Sequence, residues 1–197
     1  AKCKSISNFK RELNMKAGLY DRSFSAILQN GTEIDVNVRR FLCMDLDEVG
    51  CINYQITPLN NEAIIIFKPY LDAGVSNEDA NWEEKVWEPL ELTHNNNEAY
   101  VKALTFKTHF VATTFMQNSI FLNGINLNIV HQNVEKNSEK IQFNYEVITP
   151  KGETATIQKL GGYTVSLNHE NTLLASQNVI EKALAIDYSK LLDNQIQ

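Results

Sequence analysis

The sequence predicts a mainly β protein, a sandwich of packed sheets followed by a short helical tail. Strand-sized stretches recur from Ser23 to Leu167, and clusters of Asn, Gly, Pro and Asp separate them. Such regular spacing indicates a sandwich or barrel, because βαβ units would alternate strands with helical periods. After about residue 168 the apolar spacing changes from two to the helical pattern, which sets the tail apart.

The first pair is the clearest. Ser23–Leu28 and Thr32–Leu42 alternate on either side of Gln29-Asn30-Gly31. Asn and Gly accept the positive φ of a tight hairpin. Asn30-Gly31-Thr32 is also a glycosylation sequon, but the turn accounts for the same residues without assuming secretion. Val49–Thr57 alternates again and stops at Pro58. Ala63–Lys68 is a continuous Ile-rich run, the pattern of a strand buried on both faces. Between Pro69 and Trp87 the pattern breaks into a long polar loop with Asp72, Gly74, Asn77, Glu78, Asp79 and Asn81, and Trp82 and Trp87 set in it. Ordered loops of this length on β scaffolds commonly bind or cover something.

Beyond the loop, strands are expected at Trp87–His94, Ala99–Leu104, His109–Gln117, Ile125–His131, Glu139–Thr149 and Thr154–Leu167, with turns at 95–97, 123–124, 133–137 and 150–152. Gly161-Gly162 falls inside the last strand and reads as a bulge. In the tail, Leu173, Leu174, Val179, Ile180, Ala183, Leu184 and Ile186 recur at helical spacing, with Asn168 or Asn171 as cap, and Leu191-Leu192 begins a further helical segment. The chain thus divides into a sandwich over residues 1–168 and a helical linker over residues 169–197.

Composition narrows the function classes. The 197 residues suit one domain with a proper core, and 18 basic against 24 acidic residues leave a net charge of −6. The longest basic runs are the pair Arg39-Arg40 and the scattered Lys2, Lys4, Lys10 and Arg11, so no basic stripe offers itself to nucleic acid. No apolar run is long enough to cross a bilayer as a helix. Cys3, Cys43 and Cys51 are odd in number and lack CxxC spacing, which fits a reducing compartment such as the cytoplasm. His94, His109, His131 and His169 show no HxH or HxxxH pairing, and P-loop, GxGxxG and GxSxG strings are absent, so neither a metal nor a nucleotide cofactor is expected. Carboxylates cluster at Asp45, Asp47 and Glu48, and again at Glu78, Asp79, Glu83 and Glu84. Acids in loops are ordinarily solvated, and a catalytic pair is not assigned to them. Trp82 and Trp87 beside Asn77, Glu78, Asp79 and Asn81 form the most suggestive group, since aromatic faces stack on sugar C–H surfaces while amides and carboxylates bond the hydroxyls. Capping the core beneath the loop is the plainer role for both tryptophans.

Seven strings, in order along the chain, resemble the N-terminal domain of glycoside hydrolase family 65. They are residues 12–24 (ELNMKAGLYDRSF), 40–42 (RFL), 54–60 (YQITPLN), 69–72 (PYLD), 77–82 (NEDANW), 114–118 (TFMQN) and 162–166 (GYTVS). The resemblance implies a supersandwich of the galactose-mutarotase-like type, linked by helices to an (α/α)6 barrel. It also implies that strands preceding Leu13-Asn14-Met15, and everything beyond the linker helices, lie outside this chain. In that family, which includes maltose, trehalose and kojibiose phosphorylases, the barrel holds the general acid and the phosphate site. Inorganic phosphate attacks the anomeric carbon with inversion as co-substrate, and no metal is needed. The expected partners are the catalytic barrel of the same parent chain and, through the parent enzyme, an α-glucosyl disaccharide. The family's catalytic residues have no matching positions here, so none is carried over. What remains for this chain is to pack on the barrel and shape the substrate cleft or a dimer, with residues 77–82 and Trp87 as the cleft-facing or interdomain element. An independent carbohydrate-binding module is the rival, and a mutarotase-type enzyme the weaker third, since no spacing nominates a His–Glu pair. Unpaired sheet edges also predict self-association.

Overall fold

The computed structural model describes residues 2–75, 85–131 and 133–196. Among them run β1 (Cys3–Asn14), β2 (Leu19–Leu28), β3 (Glu33–Leu42), β4 (Val49–Pro58), β5 (Ala63–Phe67), β6 (Tyr70–Asp72), β7 (Trp87–His94), β8 (Glu98–Thr105), β9 (Val111–Leu122), β10 (Ile125–Asn126), β11 (Asn133–Lys136), β12 (Lys140–Thr149) and β13 (Ala155–Val165). Two helices, α1 (Thr172–Ile186) and α2 (Tyr188–Ile196), follow. All described pairings are antiparallel. A nine-stranded sheet runs β1-β2-β3-β4-β13-β9-β8-β7 with β10 on β9, and a four-stranded sheet runs β11-β12-β5 with β6 on β12. The mainly β sandwich with a helical tail is therefore the fold.

The large sheet is covered on both faces, and strand alternation decides how. On one face Ala99, Val101, Met116, Ile120, Ala155 and Ile157 meet Ile65, Phe67, Ile141, Phe143, Tyr145 and Val147 of the small sheet. Neighbouring positions point the other way, so Leu19, Phe41, Val49, Cys51, Tyr100, Phe115 and Leu160 pack against Val179, Ile180, Ala183 and Leu191 of the helices. Burial of each Val, Leu, Ile, Phe or Met among them contributes about 1.5–3 kcal/mol. A ladder of buried hydroxyls pins α1 to the sheet: Thr113 and Thr172 lie 2.7 Å apart, and the Thr164 hydroxyl donates to the Thr172 carbonyl and sits 2.9 Å from Ser176. Asn171 caps α1, its side chain accepting from Leu174 N–H at 3.1 Å. Asp187 separates the helices at φ 66°: its N–H donates to the Ala183 carbonyl, and its carboxylate accepts from Lys190 N–H.

Several expectations are corrected. Ala63–Phe67 alternates instead of being buried on both faces, with Ile64 63% and Ile66 48% exposed. It lies at the edge of the small sheet and has only one sheet to pack on. The expected strand at 125–131 ends at Asn126, and residues 133–136, read as a turn, form β11 on β12. Strand β6, inside the expected loop, and strand β1 were not foreseen. Two things hide β1: all its residues are exposed, and a bulge at Asn8, φ 53°, puts Ile6 and Phe9 on one face despite their odd spacing.

Gly161-Gly162 is not a bulge either. Register continues through both residues to β4 and β9. Gly162 is needed for close approach, since a Cβ there would lie 1.8 Å from the Glu48 carbonyl oxygen and 2.8 Å from the Phe115 ring. At Gly161 the nearest contact would be an ordinary 3.5 Å. Urea denaturation should therefore show Gly162→Ala destabilised by about 3 kcal/mol and Gly161→Ala by much less.

Candidate functional site

The helices cover only part of their face of the large sheet. One pleat beyond the apolar row Leu19–Phe41–Cys51–Leu160, cross-strand partners are Asp21, Arg39, Asn53, Gln158 and Ser119. The next row is Ser23, Asn37, Gln55, Thr156 and Phe121. Two adjoining clefts of about 450 and 680 Å³ open over these rows and share Asn37, Asn53, Gln55 and Tyr188. Together they make a polar trough five strands wide. Lys10 and Glu12 of β1 form one end and the Asn123-Gly124 turn the other, with the start of α2 along one side.

Charge in the trough is paired. Arg39 grips Asp21 through two hydrogen bonds of 2.8 and 2.9 Å, and the partnership raises the guanidinium further above its already high value. Lys10 sits 2.6 Å from Glu12. The amides are not paired: the side chains of Asn37, Asn53, Gln55 and Gln158 make no hydrogen bond to another described residue. The Tyr188 ring meets Phe41 edge-on at 5.5 Å. Its hydroxyl is buried without a partner among the described residues, and burial pushes its pKa up.

Of the residues expected from the sequence to face a cleft, Asn77, Glu78, Asp79, Asn81 and Trp82 lie outside the described residues. Trp87 opens β7 opposite Thr105, half-buried, its ring edge-on to Phe110 at 6.2 Å. The structure also brings together pairs that spacing could not nominate. His169 Nε2 lies 3.4 Å from Glu48 Oε1, tying the segment before α1 to the β3–β4 turn. Neither residue lines the trough. His94 and His131 meet at 5.8 Å, and His131 stacks on Phe143 at 4.4 Å. Among the described residues no group of three or more His, Cys, Asp or Glu is placed to hold a metal. Cys43 and Cys51 approach to 3.6 Å between sulfurs, buried and unbridged.

The opposite face of the large sheet carries a more apolar groove of about 630 Å³, lined by Ile52, Tyr54, Ile66, Tyr70 and Lys159 among others. Lys159 donates to the Tyr70 carbonyl at 3.1 Å.

An antiparallel supersandwich with a helical pair on one sheet defines the class of protein. The family profile of the glycosyl hydrolase family 65, N-terminal domain, matches residues 1–197, and the chain belongs to that family. Maltose phosphorylase of Bacillus subtilis (strain 168) is 33% identical over 110 residues, 56% of this chain and 14% of that protein. Alpha,alpha-trehalose phosphorylase of Thermoanaerobacter brockii is 24% identical over 185 residues, 89% of this chain and 23% of that protein. A solved structure described as a candidate kojibiose phosphorylase from human microbiome superposes with a TM-score of 0.81 at 18% identity, over 98% of this chain and 24% of that one. The chain therefore spans a quarter or less of the relatives it matches.

Burial lowers the Lys159 ammonium from an ordinary 10.5 to about 8. Below pH 8 it is charged in folded and unfolded chains alike, and the folded state bears the desolvation cost. Between about 8 and 10.5 the unfolded chain holds a proton the folded chain has lost, so stability rises with pH in this window. Lys159→Met should raise the melting temperature near neutral pH, and the gain should shrink to nothing above pH 10.5.

Proposed function

We propose that this chain is the non-catalytic N-terminal domain of a cytoplasmic, phosphate-dependent disaccharide phosphorylase or a related hydrolase. Its partner is an (α/α)6 catalytic domain of the same parent chain, and its task is to pack on that domain and shape the cleft for an α-glucosyl disaccharide. The match to one family domain along residues 1–197 carries the reading. Two of the relatives, at 33% and 24% identity, are phosphorylases of which this chain spans 14% and 23%, which leaves most of each enzyme for the chemistry. The trough agrees with this: Asp21 spends both carboxylate oxygens on Arg39 and Glu12 pairs with Lys10. A general acid instead needs a free proton to give. No helix is long and apolar enough to cross a membrane among the described residues.

The rival reading, an independent carbohydrate-binding module, draws support from the unpaired amides of the trough more than from Trp87, whose ring already packs on Phe110. Self-association has its own support. Strand β1 is a twelve-residue edge with Ile6, Phe9 and Leu13 more than half exposed on one face. Lys2, Lys4 and Lys10 and the Asn8 bulge blunt that edge, so face-to-face contact of the apolar side chains is the expected mode.

In the full-length enzyme, Trp82→Ala and Asp79→Ala should each slow phosphorolysis or raise the KM for disaccharide. Unchanged kinetics together with an unchanged melting temperature would remove residues 77–82 from the cleft. Light scattering of the 197-residue chain at high concentration should show dimers or larger species, dispersed by Phe9→Lys; a clean monomer would refute self-association.

A further inference from the structure

We propose that the polar trough between the α2 helix and strands β1–β4, β13 and β9 is a binding site for a neutral saccharide of one or two rings. Its lining includes no residue of the segment 77–82, and it does not rest on the domain's docking role.

The trough leaves a set of side-chain amides unsatisfied. Asn37 and Gln55 are cross-strand partners, as are Asn53 and Gln158, and alternation turns all four side chains to the same face. None is hydrogen-bonded to another described residue. Each carboxamide offers two donor hydrogens and an acceptor oxygen. A sugar hydroxyl both donates and accepts, so vicinal hydroxyls complement such a lattice better than a purely anionic or cationic ligand does. The amides stand on neighbouring strands about 4.8 Å apart, a separation that one sugar ring spans. Ser23, Thr57 and Thr156 add hydroxyls to the same floor.

Charge selects the ligand further. The lining holds three cations, Lys10, Arg22 and Arg39, and three anions, Glu12, Asp21 and Asp187. Arg39 and Lys10 are committed to Asp21 and Glu12. Strand alternation turns Arg22 to the opposite face, its guanidinium 5.8 Å over the Phe24 ring. A phosphate would therefore compete with Asp21 or Glu12 for its cation, whereas a neutral polyol leaves both pairs intact. Volume fits as well, since about 450 Å³ in one cleft is the size of an ordinary small-molecule pocket.

Apolar surface is offered at two places. Tyr188 lines both clefts, its ring packed edge-on against Phe41. Phe121 lies at the far end of the amide row. Both suit the C–H face of a sugar ring.

Titration of the 197-residue chain with glucose, maltose, trehalose and kojibiose, followed by side-chain amide NMR, tests the site. Saturable shifts are expected at the Asn53, Gln55 and Gln158 amides. Asn53→Ala with Gln158→Ala should weaken binding by roughly tenfold or more, the loss of one or two hydrogen bonds. Asn37→Ala, at an exposed position, serves as the milder variant, and thermal melts confirm that each variant is folded. Glucose 1-phosphate should bind no more tightly than glucose. The site is overturned if no neutral sugar saturates, if the variants bind as the parent does, or if the sugar phosphate binds at least about tenfold better than the sugar. Shifts confined to Trp87 would equally overturn it, by moving the binding elsewhere. None of these outcomes bears on the docking role, which is read from the kinetics of the full-length enzyme.

Discussion

Along β2, β3, β4 and β13, the row Leu19–Phe41–Cys51–Leu160 is apolar, and one pleat further the same strands carry Asp21, Arg39, Asn53 and Gln158. Helices α1 and α2 sit on the first row and stop at the second. The reason is a balance of burial: each large apolar side chain covered contributes about 1.5–3 kcal/mol, while an amide buried without a partner costs about as much. A helix that advanced by one row would lose on every strand. This boundary places Tyr188 at the wall of the trough, and it leaves the amides open.

The two faces of the large sheet are thus used differently. One face is sealed where the four-stranded sheet covers β13, β9 and β8, and its core of Met116, Ile141, Phe143 and Tyr145 side chains shows essentially no exposure. On β2–β4 the same face keeps its own cluster, Ala26, Ile34, Val36 and Val38, covered by neighbours on those strands such as Phe24 and Tyr54. The groove beside Lys159 runs between these regions. Strands β9 and β13 join the halves, and Tyr163 N–H donates to the Glu48 carbonyl at 3.3 Å, tying the β3–β4 turn to β13 where Gly162 leaves room for its close approach.

Several of the strings that resemble the family are structural. Phe41, Phe115, Met116, Asn118 and Thr164 are buried, and Gly162 has no room for a side chain. Such residues report a shared fold more directly than a shared reaction. That is why the family assignment is strong as a statement of fold while it names no reaction. Asn77 through Trp82, the string that reads most like a site, lies outside the described residues, and the trough that the structure does display is built from residues that no single string contains.

By itself, the sequence determined the β class, the Asn30-Gly31 hairpin, most strand positions, the C-terminal helix and the family. Each of these is written in neighbouring residues, as a period, a turn or a contiguous string. The structure chose Asn171 over Asn168 as the cap. Strand β1 escaped because its bulge breaks the period, and the Ile-rich β5 misled because hydrophobicity along a strand does not say how many sheets will cover it. Only the tertiary structure decided the trough, the 3.4 Å His169–Glu48 contact and the 3.6 Å approach of Cys43 to Cys51. The trough and the His169–Glu48 contact join residues far apart in the chain, and a strand's partner and register are set by packing across the whole domain.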